Sequence, residues 1–189
     1  MQGILEHPPT IETERLTLRP LTMADDEAIY AYGSDPEVSK YVLFDTHQTI
    51  EDSRVFLRLV LSEYAEHKPS ALGIELKNSG ELIGTIGYLN WNNDHKRIEI
   101  GYALSRDNWN KGYVTEAAKG LIDFFFHNSD LIRIEARCRL ENTGSARVME
   151  KAGMKFEGIL RKHIFTKGEH RDMKIYSIIR DEWLRENNH

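Results

Sequence analysis

The length, composition and charge of this chain limit what it can be. Its 189 residues suit one domain with a sizeable core, and 40% hydrophobic with 29% charged residues is an ordinary composition for a water-soluble protein. The formal net charge of −5 gives no general attraction to nucleic acid or to an acidic membrane surface, so we expect neither as a partner.

The cysteines, the histidines and the distribution of apolar residues exclude further classes of protein. Cys138 is the single cysteine of the sequence, which excludes an intrachain disulfide and a cysteine-rich metal site. The eight histidines show no ligand spacing, so we predict no bound metal. Neither a signal peptide nor a membrane-length apolar run is visible, and this predicts a cytoplasmic protein.

The first third of the chain predicts an arm, a strand and two helices. Residues 1–12 contain two prolines and no periodicity, which indicates a flexible N-terminal arm ahead of a single domain over residues 13–189. Alternating apolar residues predict a strand over 14–20. A threonine followed three positions later by an aspartate is a helix-capping pattern, and it predicts helices over about 22–33 and 49–67.

The remainder predicts six strands and two helices. Strands over 71–76 and 82–89 are joined by Asn78-Ser79-Gly80, which is a strong hairpin signal. Four more strands are predicted around Ile98 and over 134–140, 158–165 and 171–179, and helices over 115–127 and 145–152. The sequence thus predicts seven strands, and because hairpins dominate, the expected class is α+β.

One turn in this series has the features of a phosphate-binding loop. Residues 109–115, which contain Lys111 and Gly112, join the strand at Ile98 to the next helix. A helix N-terminus offers unpaired N–H groups and the positive end of a dipole, and glycine allows a ligand close to the backbone. The alternative is an ordinary strand-to-helix connection, and this loop alone does not decide between them.

A second motif at residues 142–154 resolves the ambiguity. Together the two stretches resemble the GNAT N-acetyltransferase superfamily, in the branch of the RimJ/RimL-type ribosomal-protein N-terminal acetyltransferases. Residues 109–117 follow the W-G-K-G-Y-A-T-E-A form of that branch, and depart from the wider Q/R-x-x-G-x-G/A pattern at Trp109 and Val114. Residues 142–154 follow N-x-x-S and K-x-G-F, with methionine replacing the phenylalanine. The resemblance covers about residues 13–183.

The resemblance implies a fold, a reaction and a coenzyme site. The fold is a mixed, mostly antiparallel central sheet flanked by helices, and the reaction is acetyl transfer from acetyl-CoA to a primary amine, with no metal. Backbone groups would hold the coenzyme: its pantetheine along one strand, its pyrophosphate in the loop, and Asn142 from the next strand end. Lys111 could equally be a solvated turn lysine, and Asn142 could also cap a helix, since both roles of Asn142 can be true together. The implied coenzyme residues are Tyr102, Ala103, Leu104, Asn110, Lys111, Gly112, Tyr113, Val114, Thr115 and Asn142.

Two side chains are candidates for the chemistry. The resemblance suggests Glu99 as the general base, acting through water on an α-amino group whose pKa is about 7.7–8.0. The alternative is a surface glutamate paired with Lys96 or Arg97. The tyrosine acid of many superfamily members falls at Met149, which cannot donate a proton, so the branch resemblance suggests Ser145 instead. The alternative for Ser145 is an ordinary helix-start serine.

The acetyl acceptor is the part of the implied reaction that the sequence determines least. The branch favours a protein N-terminus of the ribosomal-protein alanine type, while polyamines, amino acids and antibiotics stay open. A coenzyme A-binding sensor without catalysis is the alternative from a different class, and a homodimer is also compatible with the resemblance. Four aromatic residues could line an acceptor cleft or simply pack in the core: Tyr41, Phe44, Tyr88 and Trp91.

Overall fold

Within residues 2–187, the part of the chain that the computed structural model describes, eight strands form one sheet. The strands are β1 (Ile11–Glu12), β2 (Leu16–Pro20), β3 (Ala71–Leu76), β4 (Leu82–Asn92), β5 (Arg97–Leu104), β6 (Arg133–Arg139), β7 (Lys155–Thr166) and β8 (Glu169–Ile179). Their order across the sheet is β1-β2-β3-β4-β5-β6-β8-β7. The sheet therefore follows chain order until its last two strands, which exchange places.

Helices flank this sheet. They are α1 (Gln2–Glu6), α2 (Asp26–Gly33), α3 (Pro36–Ser39), α4 (Ile50–Ala65), α5 (Tyr113–Asn128), α6 (Thr143–Lys151) and α7 (Arg180–Asn187). The two predicted capping patterns are confirmed: Asp25 accepts a hydrogen bond from the Thr22 amide at 2.7 Å, and Asp52 accepts one from the Thr49 amide at 2.9 Å. Between residues 2 and 187, none of the helices is long and apolar enough to cross a membrane.

The centre of the sheet contains a split. Every neighbouring pair of strands is antiparallel except β5 and β6, which are parallel because the chain crosses over between them through α5. Their pairing begins at Arg97 with Arg133 and ends at Ile100 with Ala136. Both strands continue past that point, to Leu104 and Arg139, without pairing to each other. The two strands therefore diverge at their carboxyl ends and leave a gap in the sheet.

The two faces of the sheet bury separate clusters. On one face, α5 packs apolar residues at helical spacing, among them Ala117, Leu121 and Phe125, against Ile98 and Ile100 of β5. Burying a leucine or phenylalanine side chain of this kind contributes about 1.5–3 kcal/mol. On the other face, α2 and α4 pack around Ala103 and its neighbours. Strand β5 is thus packed on both of its faces, and it forms one side of the gap.

The structure confirms the predicted α+β class and differs from the prediction near both ends of the chain. The predicted flexible arm contains α1 and β1, and Ile11 of β1 is buried and pairs with Leu18, so the sheet has eight strands and not seven. A two-residue strand is too short to show periodicity. Helix α7 was not predicted, because Trp183 is its one buried residue. Residues 1, 188 and 189 of the predicted arm and domain lie outside the described residues.

Candidate active site

The gap between β5 and β6 opens into a cavity of about 570 Å³. Residues 99–103 of β5 and 136–138 of β6 form two of its sides, and the first turn of α6 closes one end. An aromatic wall faces the strands and consists of Tyr32, Tyr41, Phe44 and Phe56. The cavity gathers five of the predicted site residues: Glu99, Tyr102, Ala103, Asn142 and Ser145. Leu104 is buried beside them, and its carbonyl accepts a hydrogen bond from the Trp109 indole at 2.9 Å.

The loop before α5 has the backbone shape that an anion site needs. Asn110 and Gly112 both adopt positive φ, at 61° and 83°, and Gly112 caps α5. The first amides of the helix, at Tyr113, Val114 and Thr115, have no carbonyl one turn earlier to pair with. Lys111 lies in the same loop, and its ammonium is 3.4 Å from the side-chain oxygen of Asn108. These groups can bind a phosphate through backbone N–H groups with one added cation.

The loop residues are not part of the cavity in the sheet. Gly112 and Thr115 line a second, open cavity of about 660 Å³ along α5, together with Lys119. Asn110, Lys111, Tyr113 and Val114 line neither of these two cavities. An extended ligand could therefore lie in the gap of the sheet with its anionic end at the loop.

Glu99 is held by partners that the sequence did not indicate. Arg137, across the gap on β6, donates to both carboxylate oxygens, at 2.8 Å from its Nε and more closely from its Nη2. Asn90 donates to the same carboxylate at 2.8 Å. The predicted alternative partners bind elsewhere, since Lys96 pairs with Asp130 and Arg97 with Glu135. The Glu99 side chain is 13% exposed, so it borders the cavity as half of an ion pair.

Ser145 does not cap its helix. The cap of α6 is Asn142, whose Oδ1 accepts a hydrogen bond from the Ser145 amide at 3.0 Å. The predicted capping role of Asn142 is therefore confirmed. The Ser145 hydroxyl instead lies 2.9 Å from the Tyr102 hydroxyl, which also donates to the Ser145 carbonyl at 3.2 Å. Burial raises the pKa of Tyr102 above its usual value, so this phenol stays protonated at neutral pH.

Two residues near Ser145, Met149 and Cys138, are unsuited to a role in the reaction. Met149 is buried in the core, so the position at which the resemblance implied a tyrosine holds a packed core side chain. Cys138 is also buried, and burial raises the pKa of its thiol to about 11. A thiol with that pKa is a poor nucleophile at neutral pH. Tyr102 and Ser145 are thus the hydroxyl groups available at this end of the cavity.

Comparison with known proteins identifies the family. The family profile described as "Acetyltransferase (GNAT) domain" matches residues 15–155, which include β2 to β6, the glycine loop and α6. The chain belongs to the GNAT acetyltransferase family. It is an acetyl-CoA-dependent N-acetyltransferase, which removes the alternative of a coenzyme-binding sensor without catalysis.

Relatives cover nearly the whole of this GNAT enzyme. It is 34% identical over 174 residues to the uncharacterized N-acetyltransferase p20 of Bacillus licheniformis, covering 92% of this chain and 98% of the relative. The crystal structure of a GNAT family acetyltransferase from Bacillus anthracis superposes with a TM-score of 0.82 at 34% identity, covering 92% and 99% of the two chains. The ribosomal-protein-serine acetyltransferase of Escherichia coli is 31% identical over 101 residues, or 53% and 56% of the chains.

The aromatic residues of this GNAT enzyme divide into two groups. Tyr41 and Phe44 line the cavity, as the cleft interpretation expected. Tyr88 and Trp91 lie in the core on the α5 face, where both rings pack edge-on against Phe125 at 5.0 and 5.6 Å between centroids. Tyr32 and Phe56, which also line the cavity, were missed because each sits on a helix where an aromatic residue reads as ordinary core.

Arg137 is the main site residue that sequence reasoning missed. Its signal was present, since β6 alternates charged residues with buried Ile134, Ala136 and Cys138. That alternation places Arg137 on one side of the strand, but it does not show which charge lies opposite.

Within residues 2–187, no group of three or more His, Cys, Asp or Glu side chains could hold a metal ion.

Proposed function

We propose that this acetyltransferase, like the RimJ/RimL branch that it resembles, acetylates the N-terminal α-amino group of a protein. The carrying observation is that Arg137 and Asn90 occupy the Glu99 carboxylate. Arg137 and Asn90 therefore fix this carboxylate at the edge of the cavity, where it can accept a proton through water from an amine that is already partly neutral. An α-amino group, with a pKa near 7.7–8.0, is neutral roughly 300-fold more often at pH 7 than a lysine amine, with a pKa near 10.4.

The proposed reaction assigns one role to each group. The amine loses a proton through water to Glu99 and attacks the carbonyl carbon of the thioester, so that a C–N bond forms and the C–S bond breaks. Backbone N–H groups beside the gap in β5 stabilise the oxyanion. The departing sulfur accepts a hydrogen bond from the Ser145 hydroxyl and leaves as the thiolate of coenzyme A. The nitrogen loses its second proton to water as the amide forms, and the thiolate takes a proton from water to become the thiol, so that one proton is released overall. The loop residues 110–115 bind the pyrophosphate through their amides, and Asn142 borders the pantetheine.

A small amine is the second candidate acceptor. Its supporting observation is that the β7–β8 turn contacts α3, beside the aromatic wall of the cavity. Lys167 in this turn donates to the Ser39 carbonyl, and Arg139 donates to the Lys40 carbonyl at 3.0 Å. The Arg139 guanidinium also lies 5.5 Å from the centre of the Tyr41 ring. These contacts hold the β7–β8 turn and Arg139 against α3 and Tyr41 on one side of the cavity, and we infer that this favours an acceptor smaller than a folded protein.

An acceptor panel separates the two candidates. Thiol release from acetyl-CoA would be measured with an alanine-first peptide, with the same peptide blocked at its N-terminus but carrying a lysine, and with spermidine and free amino acids. We expect the free N-terminal peptide to give the fastest release and the blocked peptide to give the background rate. Faster release with spermidine or an amino acid than with the peptide would replace the protein N-terminus by a small amine.

Ser145→Ala is expected to lower kcat about 10-fold, below the 10²–10⁴ range of stronger general acids, while acetyl-CoA affinity stays the same. The effect is modest because a thiolate, with a thiol pKa near 8.5, is already a tolerable leaving group. The melting temperature should change little, since the cap of α6 is Asn142. Tyr102→Phe should lower kcat similarly if its hydroxyl orients Ser145.

Thr143→Ala is the matched control, because it removes a hydroxyl from the same turn of α6 without touching the Tyr102 contact. Its kcat should equal that of the unmodified enzyme. Normal turnover per folded molecule in Ser145→Ala would exclude the serine from the reaction and leave the sulfur stabilised by water and backbone.

A further inference from the structure

The turn between β1 and β2 is fastened to the start of α5. The Glu116 carboxylate, in the first turn of that helix, accepts three hydrogen bonds from the turn: from the Thr13 hydroxyl at 2.7 Å, from the Arg15 amide at 2.7 Å and from the Arg15 Nε at 2.6 Å. Burial alone raises the pKa of Glu116, but these hydrogen bonds outweigh it and leave the pKa below its usual value. Glu116 is therefore an ionised anchor for Arg15.

The anchored guanidinium of Arg15 lies against the glycine loop. Its Nη1 donates to the Lys111 carbonyl at 3.1 Å, and its central carbon is 4.6 Å from the centre of the Tyr113 ring. Its Nη2 would lie 3.4 Å from a Cβ placed on Gly112, and it makes no hydrogen bond to any residue between 2 and 187. Within residues 2–187, the Nη2 of Arg15 thus has N–H groups without a partner, and they lie beside Gly112.

We propose that Arg15 binds the pyrophosphate of the coenzyme and holds the loop in its binding shape. This inference rests on the proposed assignment of residues 110–115 to the pyrophosphate. Arginine suits the role because its planar fork can keep two bonds to the protein while offering a further N–H to a phosphate oxygen. It also neutralises Glu116, whose negative charge would otherwise repel a phosphate from the N-terminus of α5.

Arg15 supplies a positive charge held in a fixed position beside the glycine loop, which Lys111 alone does not. The Lys111 ammonium has one long contact, 3.4 Å to Asn108, at the end of a flexible four-carbon stem. The Arg15 guanidinium is instead held by Glu116, by the Lys111 carbonyl and by the Tyr113 ring. The side chain of Arg15 is 43% exposed, and an ion pair with that exposure contributes little to stability. Its loss should therefore be visible in phosphate binding more than in folding.

The test compares ligands with and without phosphates. Dissociation constants would be measured by calorimetry for coenzyme A, for dephospho-coenzyme A, which lacks only the 3′-phosphate, and for pantetheine, which has no phosphate. We expect Arg15→Ala to weaken binding of the two nucleotides by about 10-fold or more, the loss typical of a charge-assisted hydrogen bond, and to leave pantetheine affinity unchanged. Arg15→Lys should recover part of the loss, because it restores the charge but not the fork.

Arg58→Ala is the matched control. The Arg58 side chain is 53% exposed, against 43% for Arg15, and it too pairs with a glutamate, but both Arg58 and its partner Glu51 lie on α4 and not at the glycine loop. Its affinities should equal those of the unmodified enzyme, and melting curves would confirm that each variant is folded. Equal weakening of pantetheine and coenzyme A in Arg15→Ala, or no weakening, would overturn the proposal. A loss confined to coenzyme A would overturn the pyrophosphate as the contact.

Failure of the underlying assignment would look different. If the unmodified enzyme bound pantetheine as tightly as coenzyme A, the glycine loop would not be a phosphate site, and the role of Arg15 would be overturned with it. If the unmodified enzyme preferred coenzyme A and Arg15→Ala kept that preference in full, the loop assignment would stand and Arg15 alone would be excluded.

Discussion

Gly112→Asp is expected to abolish the thermal stabilisation that acetyl-CoA gives to this enzyme. A ligand that binds only the native state stabilises it by mass action, by about 2.7 kcal/mol at 100 times its dissociation constant. Gly112 has φ of 83° and caps α5. A side chain there carries some backbone strain, but aspartate is among the residues found most often at positive φ and is a preferred cap residue. The variant should therefore fold. Its carboxylate would take the helix N-terminal amides that the pyrophosphate needs, and would repel the phosphates.

The control for this experiment is Gly80→Asp. Gly80 also has positive φ, of 70°, and a Cβ there would meet no heavy atom within 4 Å. It lies in the β3–β4 hairpin turn, so the substitution imposes the same backbone strain away from the loop. Acetyl-CoA should raise the melting temperature of Gly80→Asp as it does for the unmodified enzyme. A full response in Gly112→Asp would remove the glycine loop from the coenzyme site.

Glu99→Gln is expected to lower kcat about 100-fold at neutral pH, the low end of general-base contributions. The amide keeps the size of the side chain and can still accept from Arg137, so coenzyme affinity should change little. Activity should rise again as the pH increases above the amine pKa of about 7.7–8.0, because free amine then needs no base. A pH–rate profile with a fixed acceptor measures both effects.

The neighbouring strand offers a closely matched control. Glu135 pairs in register with Glu99, carries its own ion pairs to Arg97 and Arg133, and is 12% exposed, against 13% for Glu99. Unlike Glu99, it does not line the cavity. Glu135→Gln should thus keep normal turnover. If Glu99→Gln were equally active at neutral pH, Glu99 would be reduced to a structural partner of Arg137.

Local signals predicted the elements of this fold well. The β3–β4 hairpin was predicted from alternation and a glycine turn, and β3 has the predicted bounds at Ala71–Leu76. Strand β4 continues three residues beyond the predicted end, to Asn92, through an irregular register in which Asn90 has φ of 52°. That irregularity turns the Asn90 side chain towards Glu99, as bulges beside functional sites often do.

Contacts between distant residues could not be predicted in this way. The pairs that shape the site are separated by long stretches of chain, by 38 residues for Glu99 and Arg137 and by 101 for Arg15 and Glu116. Periodicity places each of these side chains on a face of its own element, but the opposing charge is set by the packing of the whole sheet. The split between β5 and β6 likewise depends on how far two parallel strands remain paired, which neither strand encodes alone.

The short pairing between β5 and β6 also concerns how the enzyme can move. Backbone bonds connect the β1–β5 half of the sheet to the β6–β8 half over one short stretch, from Arg97 with Arg133 to Ile100 with Ala136. A small rotation about that stretch would break no backbone pair inside either half. A pantetheine chain that bonds along residues 102–104, as proposed, would extend this connection, so we expect coenzyme binding to restrict the twisting of the two halves. The gap between β5 and β6 should then vary in width in the free enzyme and keep a single width in the coenzyme-bound enzyme.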